Sequence, residues 1–249
     1  MLNMLVDGAL TDGADLMIAV STPVLQAAIQ RGRHVPTVFD YVANPIIAGA
    51  GESDRRHLPW VTGVYIMSDF SGMISAIKEC NIGVRRIGTL FCPAEINSVY
   101  FRDELVKAAQ NDGFDVVSVP ANTSGDMPDA AMALCGRNID AICQISDNLS
   151  SAGFSSVVKA ANQAHLPLFV FQSKQAESGA VLAIARDFID AGRSTGAMAA
   201  RIVRGTSPAQ IPFQHSNATK IIINMDAARR LNMKIPQSLL SRASQVFSQ

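Results

Sequence analysis

Short apolar runs alternate along this chain with longer segments whose apolar residues recur at helical spacing. The runs read as strands over 14–20 (ADLMIAV), 35–42 (VPTVFDYV), 60–66 (WVTGVYI), 85–91 (RRIGTLF), 114–121, 139–145 (IDAICQI), 166–172 (LPLFVFQ), 180–186 (AVLAIAR) and 219–226. The periodic segments predict helices over 22–32, 70–81, 95–113, 127–138, 149–165, 188–205 and 227–233, and the residues before Asp15 read as the tail of another helix. Thr22 followed by Pro23 is the pattern of an N-cap and first helical residue, and Gly113 and Gly205 read as helix stops. This alternation predicts an α/β fold with mostly parallel sheets. Runs that are apolar throughout predict strands covered on both faces.

Several runs end in small polar clusters just before a helix. These are Ser21-Thr22-Pro23, Ala43-Asn44-Pro45, Glu95 to Ser98 (EINS), Ser146-Asp147-Asn148 and Gln172-Ser173. Open parallel sheets bind ligands outside the carboxyl ends of their strands. Helix N-termini there offer unpaired N–H groups and a partial positive charge, which suit a carboxylate or phosphate. Taken singly, each cluster is a cap or a turn. Repeated at equivalent ends of successive strands, they predict one polar edge.

Composition narrows the chemistry. The 249 residues suffice for one large domain or two small ones, and 48% hydrophobic with 17% charged residues suits a packed globule. Twenty-one basic and 21 acidic side chains balance, without a basic stripe, and only 6% of residues are aromatic. Nucleic acid is therefore not an expected partner. No apolar run reaches the roughly 18–20 residues of a membrane helix. The start has no basic n-region and is interrupted by Asp7, Asp12 and Asp15, so it does not read as a signal peptide. Cys80, Cys92, Cys135 and Cys143 form no CxxC pair; Cys92 and Cys143 read as small buried hydrophobes, and the redox compartment stays open.

Catalytic motifs are lacking. There is no P-loop and no GxSxG, and AGAGESD (48–54) lacks dinucleotide-binding spacing. His34, His57 and His165 fall at loop edges and read as exposed; with His215 they are scattered, and no pair has metal-ligand spacing. Glu95 and Asp147 would form a carboxylate pair if the polar edge converges, but no base or nucleophile accompanies them. The expectation is a binding protein without cofactor or metal, not an enzyme.

The segments GADLMIAVSTPVLQAA, VPTVFDYVANPIIAGAG, VTGV, RRIGTLFCPAEINS, IDAICQISDN, LPLFVFQS and FIDAGRSTGAMAARIVRG together resemble the ABC-transporter substrate-binding proteins of the tryptophan/tyrosine-binding type. The likeness covers nearly all of 14–236, and it lies in the order and spacing of the motifs. It implies a type I periplasmic-binding-protein fold: two Rossmann-like α/β lobes joined by a hinge, closing on a small amino-acid-like ligand. It implies an ABC permease and its ATPase as partners, and a periplasmic or membrane-anchored extracytoplasmic location for the full-length protein. Lobe one would hold 1–68 and 188–249 and lobe two 69–187, with hinge segments near 66–70, 186–190 and 210–222.

Carried over residue by residue, the resemblance implies ligand contacts from Thr22, Asn44, Glu95, Asn97, Ser98, Ser146, Asp147, Asn148, Gln172 and Asp187. Asn97 and Ser98 would meet a ligand carboxylate at a helix start, and Asp147 or Asp187 would meet an ammonium. Three positions depart from the family pattern: Ser21 stands where the family has Gly, Asn44 where Asp is common, and Arg186 where Phe is usual. Tyr41 and Trp60 are candidates to stack on an aromatic ligand, with core packing as the alternative. The family also begins roughly fifty to sixty residues before the equivalent of Asp15, about a βαβ unit and a helix start. The export signal and first strand-helix unit are thus expected to be absent here, exposing an apolar sheet edge. Two rival readings remain: the effector-sensing core of a transcription regulator, which shares this fold, and a small α/β racemase or isomerase.

Overall fold

The computed structural model describes residues 2–32 and 35–248. The expectation for His34 lies outside them. The chain forms two compact units, Met1–Met67 with Asp187–Ala218 and Ser68–Arg186 with Thr219–Gln249.

In the first unit α1 (Leu2–Thr11) leads to β1 (Met17–Val20), α2 (Thr22–Arg31), β2 (Thr37–Val42) and β3 (Val61–Tyr65). In chain-order numbering, the later segment adds α9 (Phe188–Val203) and the short β9 (Gln214–His215). The sheet is parallel throughout, in the order β1-β2-β3-β9. Helices α1 and α2 cover one face, where Val6, Leu25 and Ala28 pack with Met17, Ala19 and Phe39. Helix α9 covers the other, bringing Ala191 and Met198 onto Val38, Val64 and Ile66. Strands β2 and β3 lie so close that a Cβ at Gly63 would sit 2.2 Å from the Phe39 carbonyl oxygen.

Three expectations are corrected here. Strand β1 is not covered on both faces: Met17 and Ala19 are buried while Ile18 and Val20 face out, because α9 packs over β2 and β3. The N-cap of α2 is Ser21, at φ 91° and ψ 155°, and Thr22 is the first helical residue. Its hydroxyl instead accepts from the Ala43 N–H, 3.2 Å away, tying the end of β1 to the end of β2. His57 is half-buried, stacked on Phe213 with ring centroids 4.5 Å apart, whereas His165 is exposed.

The second unit runs through α3 (Phe70–Glu79), β4 (Arg86–Phe91), α4 (Ile96–Asn111), β5 (Asp115–Pro120), α5 (Met127–Cys135) and β6 (Ala141–Gln144). It continues through α6 (Asn148–Ala152), α7 (Phe154–Gln163), β7 (Leu168–Val170), α8 (Ser173–Glu177) and β8 (Leu182–Arg186). Its last part is β10 (Thr219–Asn224), α10 (Met225–Arg230), α11 (Gln237–Arg242) and β11 (Gln245–Phe247). The sheet order is β11-β10-β8-β7-β6-β4-β5. Residues 219–249 therefore belong to this unit and not to the first. Strand β10 adds antiparallel to β8, from Thr219 beside Arg186 to Ile223 beside Leu182, and β11 pairs with β10. The helix expected over 149–165 is broken at Gly153, where a Cβ would lie 2.6 Å from Met127 Cγ.

Two outcomes follow from strain and burial in the first unit. The backbone region of Ser21 is one that essentially only glycine adopts, at a cost of order 1–3 kcal/mol. Ser21→Gly should raise unfolding stability in urea by about 1 kcal/mol after the extra freedom of glycine in the unfolded chain is subtracted. Half-buried Asp40 has its carboxyl pushed above the usual range by burial, with the Tyr41 N–H opposing. A raised folded-state value means the native chain holds that proton more tightly than the unfolded chain, so stability falls as pH rises through the window. Asp40→Asn should melt higher than the parent at neutral pH, and the gap should close below the ordinary carboxylate range.

Candidate functional site

The strand order of the second unit reverses at β4. From β4 the chain crosses through α4 to β5 on one side, and from β5 through α5 to β6 on the other. Such a reversal sends successive helices to opposite faces and leaves a gap at the carboxyl ends of the two strands. The gap is measurable in the hydrogen bonding. Strands β4 and β6 pair only at Ile87 with Ala141 and Gly88 with Ile142. Beyond that the Gln144 side chain takes over: the Leu90 N–H donates to its Oε1 at 3.0 Å, and its Nε2 donates to the Leu90 carbonyl at 2.9 Å. Gln144 is fully buried, so this amide stands in for a missing rung of the ladder.

The polar clusters after β4 and β6 meet at that gap. The Cys92 N–H donates to Ser98 Oγ at 2.7 Å, and the Ser98 hydroxyl donates to Asp147 Oδ2. The other oxygen of Asp147 accepts from the Ser150 N–H at 2.6 Å and from the Ser150 hydroxyl, capping α6. Asp147 is only 1% exposed, and the polar partners of its side chain come from within the chain. Glu95, the N-cap residue of α4, makes no side-chain capping bond to the backbone of its own helix. Its Oε2 accepts from Asn148 N (3.2 Å), Asn148 Nδ2 (3.0 Å) and Asn97 Nδ2 (3.2 Å). The two helix starts are thereby fastened together. Two buried atoms are left over: Asn97 Oδ1 and Ser146 Oγ have no hydrogen-bond partner among the described residues.

The other expected residues are engaged differently. Gln172, at the end of β7, donates from Nε2 to Ser151 Oγ at 2.9 Å. In the first unit Asn44 Oδ1 accepts from the N–H groups of Ile46 and Ile47, closing a turn, and Asp187 caps α9 through the N–H groups of Ile189 and Asp190. Tyr41 meets Phe188 edge-on, with ring centroids 5.1 Å apart. Arg186, at the carboxyl end of β8, is half-buried; burial lowers its basicity and nearby Asp69 opposes that shift. Burial also raises the thiol of Cys92.

Gln144 and Ser150 were not anticipated. The one signal for Gln144 is a lone amide inside an apolar run, AICQI, next to the SDN cluster. Ser150 stands three residues after Asp147, the spacing of an N-cap and its target.

A family model described as ABC transporter substrate binding protein matches residues 2–247. A tyrosine-binding protein of Clostridioides difficile is 28% identical over 224 residues, which are 90% of this chain. The chain spans 65% of that relative's length. Among solved structures, an ABC domain from Streptococcus pneumonia in complex with L-Trp superposes with a TM-score of 0.94 at 25% identity, over 99% of this chain and 85% of that one. A conserved domain protein from Vibrio cholerae gives 0.94 at 27% identity, over 99% and 83%. The fold is that of the type I periplasmic binding proteins, as the family resemblance implies.

Replacing Gln144 by Leu would strand the N–H and C=O of Leu90 in an apolar interior. Each stranded group costs about 1–3 kcal/mol. Gln144→Leu should lower urea stability by about 2–4 kcal/mol, with faster hydrogen exchange at the Leu90 amide.

Proposed function

Because the chain belongs to the family of ABC transporter substrate-binding proteins, whose members bind and do not catalyse, we propose that it holds an amino-acid-like solute at the carboxyl ends of β4 and β6. The solute class follows the relatives, one named for tyrosine and one solved with L-Trp, so an aromatic amino acid is the favoured ligand. The full-length protein would act outside the cytoplasm and hand its solute to an ABC permease driven by an ATPase.

The observation that carries this reading is the pair of unpartnered buried atoms, Asn97 Oδ1 and Ser146 Oγ. A buried polar atom without a partner costs free energy that a ligand can return. Asn97 Oδ1 is an acceptor, because its Nδ2 is spent on Glu95. It suits a ligand ammonium, and the Glu95 carboxylate beside it supplies the opposite charge. The first turn of α4 and the Ser146 hydroxyl suit the ligand carboxylate. Asp147 has its oxygens filled by Ser98 and Ser150, so it acts by holding α4 and α6 in place.

Thermal unfolding with L-tryptophan, L-tyrosine, L-phenylalanine and L-glutamate tests the proposal. At one hundred times its dissociation constant a ligand stabilises by about 2.7 kcal/mol, a shift of a few degrees. An aromatic amino acid should give that shift, and Asn97→Ala with Ser146→Ala should remove it while leaving the far-ultraviolet circular dichroism unchanged. No shift with any aromatic amino acid, or an equal shift in the double variant, would overturn the proposal.

A further inference from the structure

The carboxyl edge of the second unit holds one more buried amide. Strands β4, β6 and β7 are consecutive neighbours in the sheet, and they lead into helices α4, α6 and α8. The N-cap residues of these helices are Glu95, Asp147 and Gln172, and their third residues are Ser98, Ser150 and Gln175. Ser98 and Ser150 both spend their hydroxyls on Asp147. Gln175 is only 4% exposed, and neither Nε2 nor Oε1 of its side chain has a hydrogen-bond partner among the described residues.

An amide is a costly group to bury for packing alone, because it brings two donors and an acceptor with two lone pairs. Gln144, the other buried glutamine of this unit, has both ends bonded to Leu90. Asn224, which reaches α8 from the end of β10, is occupied: its Nδ2 donates to the Ala176 carbonyl, and its Oδ1 accepts from the N–H groups of Asp226 and Ala227. The geometry of α8 places the idle amide. Gln172 donates to Ser151 of α6, and residues three apart share a face of a helix, so Gln175 lies on the face that looks toward α6. The register of β6 and β7, with Gln144 beside Val170, extends to Ser146 beside Gln172. The backbone of Gln172 is thus about 5 Å from that of Ser146 across the sheet, and Gln175 is about 5 Å further along the helix.

We infer that Gln175 reads the far end of the solute and selects a side chain that ends in a hydroxyl. The inference rests on the reading above, in which the amino-acid end of the solute is held by Asn97 and Ser146. The step from Ser146 to Gln175 is about the length of an aromatic side chain. A phenol hydroxyl donates its proton to Oε1 and accepts from Nε2, and so occupies both ends of the amide. An indole N–H donates to Oε1 alone. A phenyl ring does neither and leaves the amide idle. Of the three aromatic amino acids L-tyrosine is therefore the best match to this position, L-tryptophan the second and L-phenylalanine the worst.

Calorimetric titration of the full chain with L-tyrosine and L-phenylalanine tests this, in the parent and in Gln175→Met, which keeps the length of the side chain and removes its polar end. The parent should bind L-tyrosine roughly ten- to a hundred-fold more tightly than L-phenylalanine. Gln175→Met should weaken L-tyrosine and bring the ratio of the two dissociation constants to within about threefold of one. That ratio is read on one and the same protein, so a smaller folded fraction in the variant cancels from it. Gln175→Met should also unfold in urea at or above the parent's midpoint, because it removes an idle buried amide. A variant that fails to fold, or unfolds well below the parent, would show the amide to be structural and overturn the inference. Equal affinities in the parent, or a preference for L-tyrosine that survives in Gln175→Met, also overturn it. If in those cases binding is still lost in Asn97→Ala with Ser146→Ala, the inference about Gln175 falls alone. No binding of either solute by the parent, or binding that the Asn97 and Ser146 changes leave intact, overturns the underlying reading and this inference with it.

Discussion

A single buried amide decides the geometry of the candidate site. Where β4 and β6 part, the Leu90 peptide would have no partner, and the interior offers no water to replace one. Gln144 fills that place with both ends of its side chain. The strands can therefore diverge toward their carboxyl ends without stranding a buried peptide group. Because they diverge, the turns after them, Glu95 to Ser98 and Ser146 to Asn148, have room to face one another. The rest of the polar network is built on that spacing: Ser98 reaches Asp147, and Glu95 reaches Asn148.

The network also separates support from contact. Asp147 and Ser98 are hydrogen-bonded within the chain, each used to fix the start of a helix. Asn97 and Ser146 are buried and unsatisfied, which a protein tolerates where binding repays the cost. Thr22, Asn44 and Asp187 spend their side chains on a neighbouring turn, their own turn and a helix cap. Ser21 (φ 91°) and Tyr41 (φ 55°), at the ends of β1 and β2, hold positive-φ backbone there.

Much of this was legible in the sequence. The alternation of apolar runs and periodic segments located the main strands and helices, and the polar clusters after 85–91 and 139–145 marked the two turns that meet. What the sequence could not supply was pairing over distance. The placement of 219–226 depended on an antiparallel addition to β8, and nothing local distinguishes a strand that joins one sheet from a strand that joins another. The run ADLMIAV reads as buried on both faces, yet its alternate residues are exposed, because coverage depends on which helices arrive and not on the strand's own residues. Helices and strands of a few residues, such as 173–177 and 245–247, are too short to show a period. Gln144 was passed over because one amide in an apolar run carries no period at all.

The central claim is that the meeting point of the β4 and β6 turns is where solute binds. Titrating isotopically labelled protein with L-tyrosine and L-tryptophan while following the amide resonances tests it most directly. The account predicts saturable shifts at Ile96 to Ser98, at Ser146 to Asn148 and at the Asn97 side-chain amide. Saturable binding that leaves those resonances unmoved and shifts others would contradict it.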